Sequence, residues 1–341
     1  MEYIRLGNSG LKVSKVIIGC MTFGDPKWQP WLLDMEAGLP ILKHAYDSGI
    51  NTFDVADAYS NGRSEVILGE FLRRYEIPRE KVVIMSKMFN FVDENGGPID
   101  PAAMGDNSGP RVNQVGLGRK HVMAAIDKSV ARLGTYIDVL QTHRLDREAP
   151  TKEIMKALND VVESGKVRYL GASSMAAWEF QMLQSTAEKH GWHQFISMQG
   201  FYSLLYREEE REMIPYCRAT GVGYMPWSPL AAGVLAHSWE DRSDKREATD
   251  PYLKMLFRDS DHGSERDIVE KVEELAKNKG VGMAQVALAW ATGEDGMFAP
   301  IAGLDSKERV DQAVLAMKVK LTPEERESLE GPYVPKAAMP F

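Results

Sequence analysis

Short apolar runs of strand length recur along the chain at 13–20, 51–56, 82–87, 136–143, 167–173, 195–199, 221–227 and 297–303. Most are continuous (VVIM, YIDVLQ, VGYMPW) rather than alternating. Continuous runs suit strands buried on both faces of a parallel sheet. The segments between them repeat their apolar positions at helical spacing. Val122, Ile126, Val130 and Leu133 form one stripe, and Ile154, Leu158, Val161 and Val162 a second. Ile268, Val272, Leu275 and Ala276 form a third, with Ser264 and Asp267 as a cap-like start and Gly280 as a stop. Eight strands alternating with helices predict an α/β protein, a closed (β/α)8 barrel, with an open doubly wound sheet as the alternative.

Two features depart from the alternation. Ahead of the barrel, EYIRLGNSGLKV predicts a β-hairpin around Asn8, Ser9 and Gly10, placed to plug the N-terminal end of the barrel. Two long loops, 88–118 and 231–263, follow the third and seventh strands. Both therefore belong to the C-terminal face, where barrel active sites are built, and loops of this length in a compact domain are usually functional.

Composition narrows the classes. The 341 residues are 44% hydrophobic and 26% charged, ordinary globular usage that predicts one barrel domain over 1–341. The net charge of −8 argues against a nucleic-acid partner, which needs a basic face. Two cysteines, Cys20 and Cys217, are too few for a disulfide framework and suit a reducing compartment. Glu2 and Arg5 stand where a signal peptide needs an apolar run, and no stretch has the length of a membrane span. A cytoplasmic protein without a membrane partner is expected.

On a barrel, the ends of the strands carry the chemistry. The second strand ends in Asp54 with Tyr59 five residues on, the third in Lys87 and the fourth in His143. Singly these read as a cap, a solvated strand end and a core histidine; adjacent strand ends, however, converge in space. A phenol with a pKa near ~10 is a poor acid at neutral pH. A nearby ammonium lowers that pKa, and a carboxylate keeps the ammonium charged and aimed. A neutral histidine donates a hydrogen bond to a substrate oxygen. The set amounts to a proton donor beside a polarised carbonyl.

The sequence resembles the aldo-keto reductase family at these same residues. DVADAYSNGRSEVILG fits the family pattern of Asp, Ala two on, Tyr five on, then Glu and Leu-Gly; VIMSK supplies Lys87 and YIDVLQTHRLD supplies His143. The likeness runs from RLGNSGLKVSKVIIGCMTFG to IAGLDSKERVDQAV, almost the whole chain. The long loops and the HRLD form look more like fungal aryl-alcohol dehydrogenases and versiconal-type reductases than like the short aldose reductases. The resemblance implies a catalytic tetrad of Asp54, Tyr59, Lys87 and His143.

Neither G-x-G-x-x-G nor a P-loop is present, so those binding modes lack their signal; the resemblance implies instead a nicotinamide nucleotide on the barrel rim. Ser173, Ser174 and Gln199 would hold the carboxamide. Trp227 would stack on the nicotinamide, where the family usually has tyrosine. Ser228 and Leu230 would follow the pyrophosphate, Gly19 and Met21 the ribose, and Asp54 would border the same site. Arg246 would clamp the pyrophosphate from the long loop. Lys307, Arg309 and Gln312 would meet the adenosine end, with Arg309 on a 2′-phosphate. Gly303 stands where many members carry a lysine, so NADPH is expected with NADH as the alternative.

Phe23, Trp28, Trp31 and Phe89 either line a pocket for an aromatic or apolar carbonyl substrate or pin their loops. His190 and His193 lack further ligands, so no metal is expected. Cys20 lacks a paired base for a nucleophile. The expected function is NADPH-dependent reduction of an aldehyde or ketone, with Tyr59 as general acid. The alternatives are an NADPH-binding regulatory subunit resembling the potassium-channel β-subunit and a barrel lyase or isomerase using Lys87 as a Schiff base.

Overall fold

The computed structural model describes residues 1–98, 103–243, 245–258 and 264–339. An antiparallel hairpin of β1 (Tyr3–Arg5) and β2 (Lys12–Ser14) precedes eight parallel strands. These are β3 (Ile17–Gly19), β4 (Thr52–Asp54), β5 (Val83–Met88), β6 (Ile137–Thr142), β7 (Val167–Ser173), β8 (Phe195–Phe201), β9 (Gly223–Trp227) and β10 (Ile301–Ala302). They pair in chain order, and β10 pairs with β3 to close the barrel. The chain is thus a (β/α)8 barrel, and the open-sheet alternative is excluded.

The helices form because each offers the barrel one apolar stripe. In α4 (Thr151–Glu163), Ile154, Met155, Leu158 and Val161 are buried. In α3 (Arg119–Leu133), Val122, Ile126 and Leu133 are buried, and Gly134 then ends the helix at φ 68°. The third predicted stripe lies on α9 (Ser264–Lys279), where Ile268, Val272 and Ala276 are buried.

Two strand readings needed correction. The run 13–20 is two strands. Lys12–Ser14 belongs to the hairpin, the Ser14 amide donates to Asn51 Oδ1 (2.8 Å), and the chain then turns into the barrel wall at Ile17. Both pieces are apolar, so hydrophobicity alone cannot mark the corner. The run 297–303 reduces to the two residues of β10. The stretch 231–263 is more than a polar loop: it carries α7 (Lys245–Thr249) and α8 (Pro251–Phe257). Residues 244 and 259–263 of that stretch, and 99–102 of the loop after β5, lie outside the described residues.

The hairpin closes the bottom of the barrel. Leu6 and Val13 join Ile17, Val83, Met85, Val139, Met225 and Ile301 in one buried cluster. Asn8 donates its amide to the Gly221 carbonyl (2.7 Å), which ties the hairpin tip to the entrance of β9. Gly7 makes this approach possible. Its φ is 58°, and a Cβ there would collide with the Gly221 carbonyl oxygen and the Gly223 amide. Gly7→Ala should lower unfolding stability by about 1–3 kcal/mol, read as a lower urea midpoint at unchanged m-value.

Candidate active site

Side chains alternate along each strand. Val83 and Met85 belong to the inner cluster, so Lys87 also points into the barrel, one layer higher. Val139 is likewise followed by Gln141. Phe53 packs outward against Phe71, which turns its neighbour Asp54 inward. The barrel interior is apolar below and ionisable at the C-terminal mouth.

Three hydrogen-bond acceptors surround the Lys87 ammonium: an Asp54 carboxylate oxygen, the Val55 carbonyl (3.1 Å) and the Tyr59 hydroxyl oxygen (3.1 Å). The other Asp54 oxygen accepts from the Gln141 and Gln199 amides, each at 2.9 Å. Gln199 also donates to Gln141 Oε1 (2.8 Å). An ammonium has three protons and no lone pair, so Tyr59 is the acceptor in its bond to Lys87. The phenolic proton is left to point elsewhere. The Tyr59 and His143 rings meet edge to face, 5.9 Å apart at 83°. All four groups lie at one mouth of the barrel.

Burial acts on all of them, and the neighbours decide the outcome. Burial pushes the Tyr59 phenol up; Lys87 pulls it down without cancelling that, and Asp54 adds to the rise. Lys87 thus acts on Tyr59 in the expected direction, and desolvation outweighs it. Burial works against a charged Lys87, but Asp54 and Tyr59 more than offset it and hold its pKa above the ordinary value. His143 has burial and the cations Arg144 and Lys87 against it, so it sits well below 6.5 and is neutral at physiological pH. Its buried Nδ1 has no partner among the described residues.

Other predicted residues spread along the same rim. Ser173 ends β7 and Ser174 follows it, both buried, their hydroxyls 3.2 Å apart. Ser174 has φ 51° and accepts from Trp227 Nε1 (3.1 Å). Trp227 stacks on Phe201 at 4.4 Å and 20°. Ser228 (φ 55°) and Leu230 begin the turn after β9. Gly19 ends β3 and Met21 is exposed just beyond it. Lys307, Arg309 and Gln312 sit in the first turns of α11 (Lys307–Ala316), whose cap is Ser306, and Arg309 pairs with Asp305 (3.0 Å). Gly303 is an exposed residue just past β10.

Arg246 pairs with Asp250 (2.7 Å) and lies over the Trp31 ring (4.6 Å), so the loops after β3 and β9 touch. Trp28, Trp31 and Phe89 are partly exposed. Phe23 is 1% exposed and wedged against Gly38 of α1 (Met35–Asp47), which pins its loop and removes it from any substrate pocket.

Sequence reasoning missed Gln141, the second amide on Asp54. A glutamine on an inward position one layer above Val139 was the available signal. It also missed Asp57, buried with both oxygens unpartnered among the described residues and its carboxyl pushed well up by burial and Glu65. Among the described residues no three metal-ligating side chains cluster, and no helix is long and apolar enough to cross a membrane.

The histidines near the mouth set an acid limit. His121 is lowered to about 4, chiefly by burial, and His143 is held well below its ordinary value by burial and the neighbouring cations. The unfolded chain takes up these protons near pH ~6.5 while the folded one refuses them. Stability should therefore fall as pH drops from ~6.5 towards about 4, by up to ~1.4 kcal/mol per pH unit for each histidine. Chemical denaturation across that range should show His121→Gln with a shallower loss than wild type.

The Aldo/keto reductase family model matches residues 15–332. Versiconal hemiacetal acetate reductase of Aspergillus parasiticus is 57% identical over 341 residues, covering 100% of this chain and 99% of that protein. A Saccharomyces cerevisiae protein named as an aryl-alcohol dehydrogenase is 49% identical, covering 98% of each chain. An Alternaria alternata aldo-keto reductase is 47% identical over 97% of this chain and 91% of its own. With the barrel, the buried Asp54–Lys87 pair and the phenol beside it already in view, these likenesses place the chain in the aldo-keto reductase family, as an oxidoreductase similar to fungal proteins named as a versiconal hemiacetal acetate reductase and an aryl-alcohol dehydrogenase.

Proposed function

We propose that this protein reduces an aldehyde or ketone to the alcohol with NADPH as the preferred donor. The observation that carries this reading is the direction of the Lys87–Tyr59 bond. Lys87 spends its three protons on Asp54, Val55 and Tyr59, so Tyr59 keeps its own proton for a substrate oxygen. Its raised pKa keeps that proton in place at neutral pH. When bound, the nicotinamide nucleotide supplies the hydride. Tyr59 delivers the proton to the carbonyl oxygen, and the adjacent ammonium stabilises the phenolate left behind. His143, neutral and edge-on to Tyr59, orients the carbonyl. Asp54 is a positioning residue that aims Lys87.

The residues present fit an extended dinucleotide. The rim offers hydroxyls and an amide at Ser173, Ser174 and Gln199, and a flat indole at Trp227. After β10 comes a helix N-terminus carrying Lys307 and Arg309, suited to a phosphate. Ser228 and Leu230 would follow the pyrophosphate, with Arg246 beside it and Gly19 and Met21 near the ribose. Gln312 would meet the adenine. The partly exposed aromatics Trp28, Trp31 and Phe89 and the name of the yeast relative favour an aromatic carbonyl substrate. Two free, buried cysteines suit a cytoplasmic setting.

Tyr59→Phe should bind NADPH with unchanged affinity and lose roughly 10²–10⁴-fold in turnover, followed by NADPH oxidation at 340 nm with a panel of aldehydes. Turnover close to wild type would reject the mechanism. Arg309→Ala should raise the KM for NADPH by about 10–100-fold, the worth of a charge-assisted phosphate contact, and leave the KM for NADH near its wild-type value. An equal rise for both nucleotides would remove Arg309 from the 2′-phosphate.

A further inference from the structure

Tyr59 is followed by three successive residues in the left-handed region, Ser60 (φ 48°), Asn61 (φ 51°) and Gly62 (φ 85°). Such a run is unfavourable for L-residues and persists only where the surroundings over-determine it. Here both side chains are buried and engaged. Ser60 Oγ accepts from the Asp25 amide (3.2 Å), at the start of the loop that carries Trp28 and Trp31. A Cβ on Gly24 would collide with that same hydroxyl. Asn61 accepts from the Asp93 amide (3.2 Å) and donates to the carbonyls of Gly97 (3.1 Å) and Gly96 (3.4 Å). Gly62 packs on Arg132, which pairs with Glu94 of the same loop and with buried Glu65. Glu65 in turn accepts from Ser86, the neighbour of Lys87.

We propose that Asn61 is a positioning residue that sets substrate specificity. It registers the 93–97 segment, which continues from Phe89, against the Tyr59 hydroxyl two residues away, while Ser60 registers the tryptophan loop. This rests on the carbonyl-reductase reading above. The two fastened loops leave β3 and β5, whereas most of the nucleotide-binding candidates follow β7 to β10. The hook therefore acts on the carbonyl substrate rather than on the nucleotide. Segment 93–97 is exposed, and among the described residues its side-chain ties to the barrel are the three Asn61 bonds and the Glu94–Arg132 ion pair, so one buried amide supplies most of them.

The test uses the full chain in three forms. Asn61→Gly keeps the left-handed backbone and removes all three side-chain bonds. Asn61→Asp keeps the acceptor for Asp93 and loses both donors. Wild type is the reference. Amide hydrogen exchange is measured over 93–97 with no ligand present, and steady-state kinetics with NADPH and a series of para-substituted benzaldehydes. In Asn61→Gly, exchange over 93–97 should quicken roughly tenfold. KM for the benzaldehydes should rise by a similar factor, while the dissociation constant for NADPH stays within about twofold. Asn61→Asp should lie between. Unchanged exchange, or quickened exchange with KM unmoved across the series, overturns the proposal while an active wild type leaves the reductase reading intact. A wild type that turns over no carbonyl, with exchange still quickened in Asn61→Gly, overturns the reaction reading and the specificity role together.

Discussion

Everything at the mouth of this barrel depends on one buried ion pair. Lys87 and Asp54 are each almost completely removed from water, and neither would be tolerated there alone. The pair persists because every remaining valence is used. Val55 and Tyr59 take the other two ammonium protons, and two glutamine amides converge on the free carboxylate oxygen. A mutation that removes one partner strands a charge, whereas the intact set is stiff. Stiffness is what the proposed role of Tyr59 as proton donor needs, because transfer efficiency depends on sub-ångström placement of the hydroxyl.

The same burial drives three neighbouring groups to three different states. Lys87 has an acid against it and stays charged. His143 faces only cations and stays neutral. Tyr59 lies between an ammonium and the carboxylate behind it, and desolvation tips it towards the protonated phenol. A charged lysine, a neutral histidine and a loaded phenol are the states carbonyl reduction calls for. They arise from a single dry mouth with unequal partners, not from separate tuning of each group.

Much of this was legible in the chain. The eight apolar runs, the hairpin around Asn8-Ser9-Gly10 and the two long loops correspond to elements of the fold, because continuous strands and 3.6-period stripes are local signals. The convergence of Asp54, Tyr59, Lys87 and His143 followed from barrel closure, which brings successive strand ends together. What could not be read was whatever depends on direction or on competing burial. The corner between Ser14 and Ile17 is invisible because both sides are apolar. Phe23 looked like its neighbours Trp28 and Trp31, yet it turns under α1 where a glycine leaves room. The sign of the Tyr59 shift needed the balance between desolvation and Lys87, which spacing does not supply. Gln141 went unnoticed although its inward register above Val139 marked it, because what its amide does is settled only by the Asp54 oxygen it meets.

The layering of the interior explains why chemistry is confined to one end. The hairpin fills the bottom with Leu6 and Val13, and the next layers are Val, Met and Ile. Below Lys87 the interior is apolar, and above it stand the loops after β3, β5 and β9, which the proposal makes the selecting elements. Those loops are tied to the barrel at a few polar points: Ser60 and Asn61 beside Tyr59, Arg132 with Glu94, and Arg246 against Trp31. On the proposed reading, reaction and selection are thus built from different materials. The first rests on strand ends held in a closed hydrogen-bond set, the second on long loops pinned by single side chains. Loop sequence can change without touching the ion pair, so on the proposed reading the acid site and the choice of carbonyl are separable.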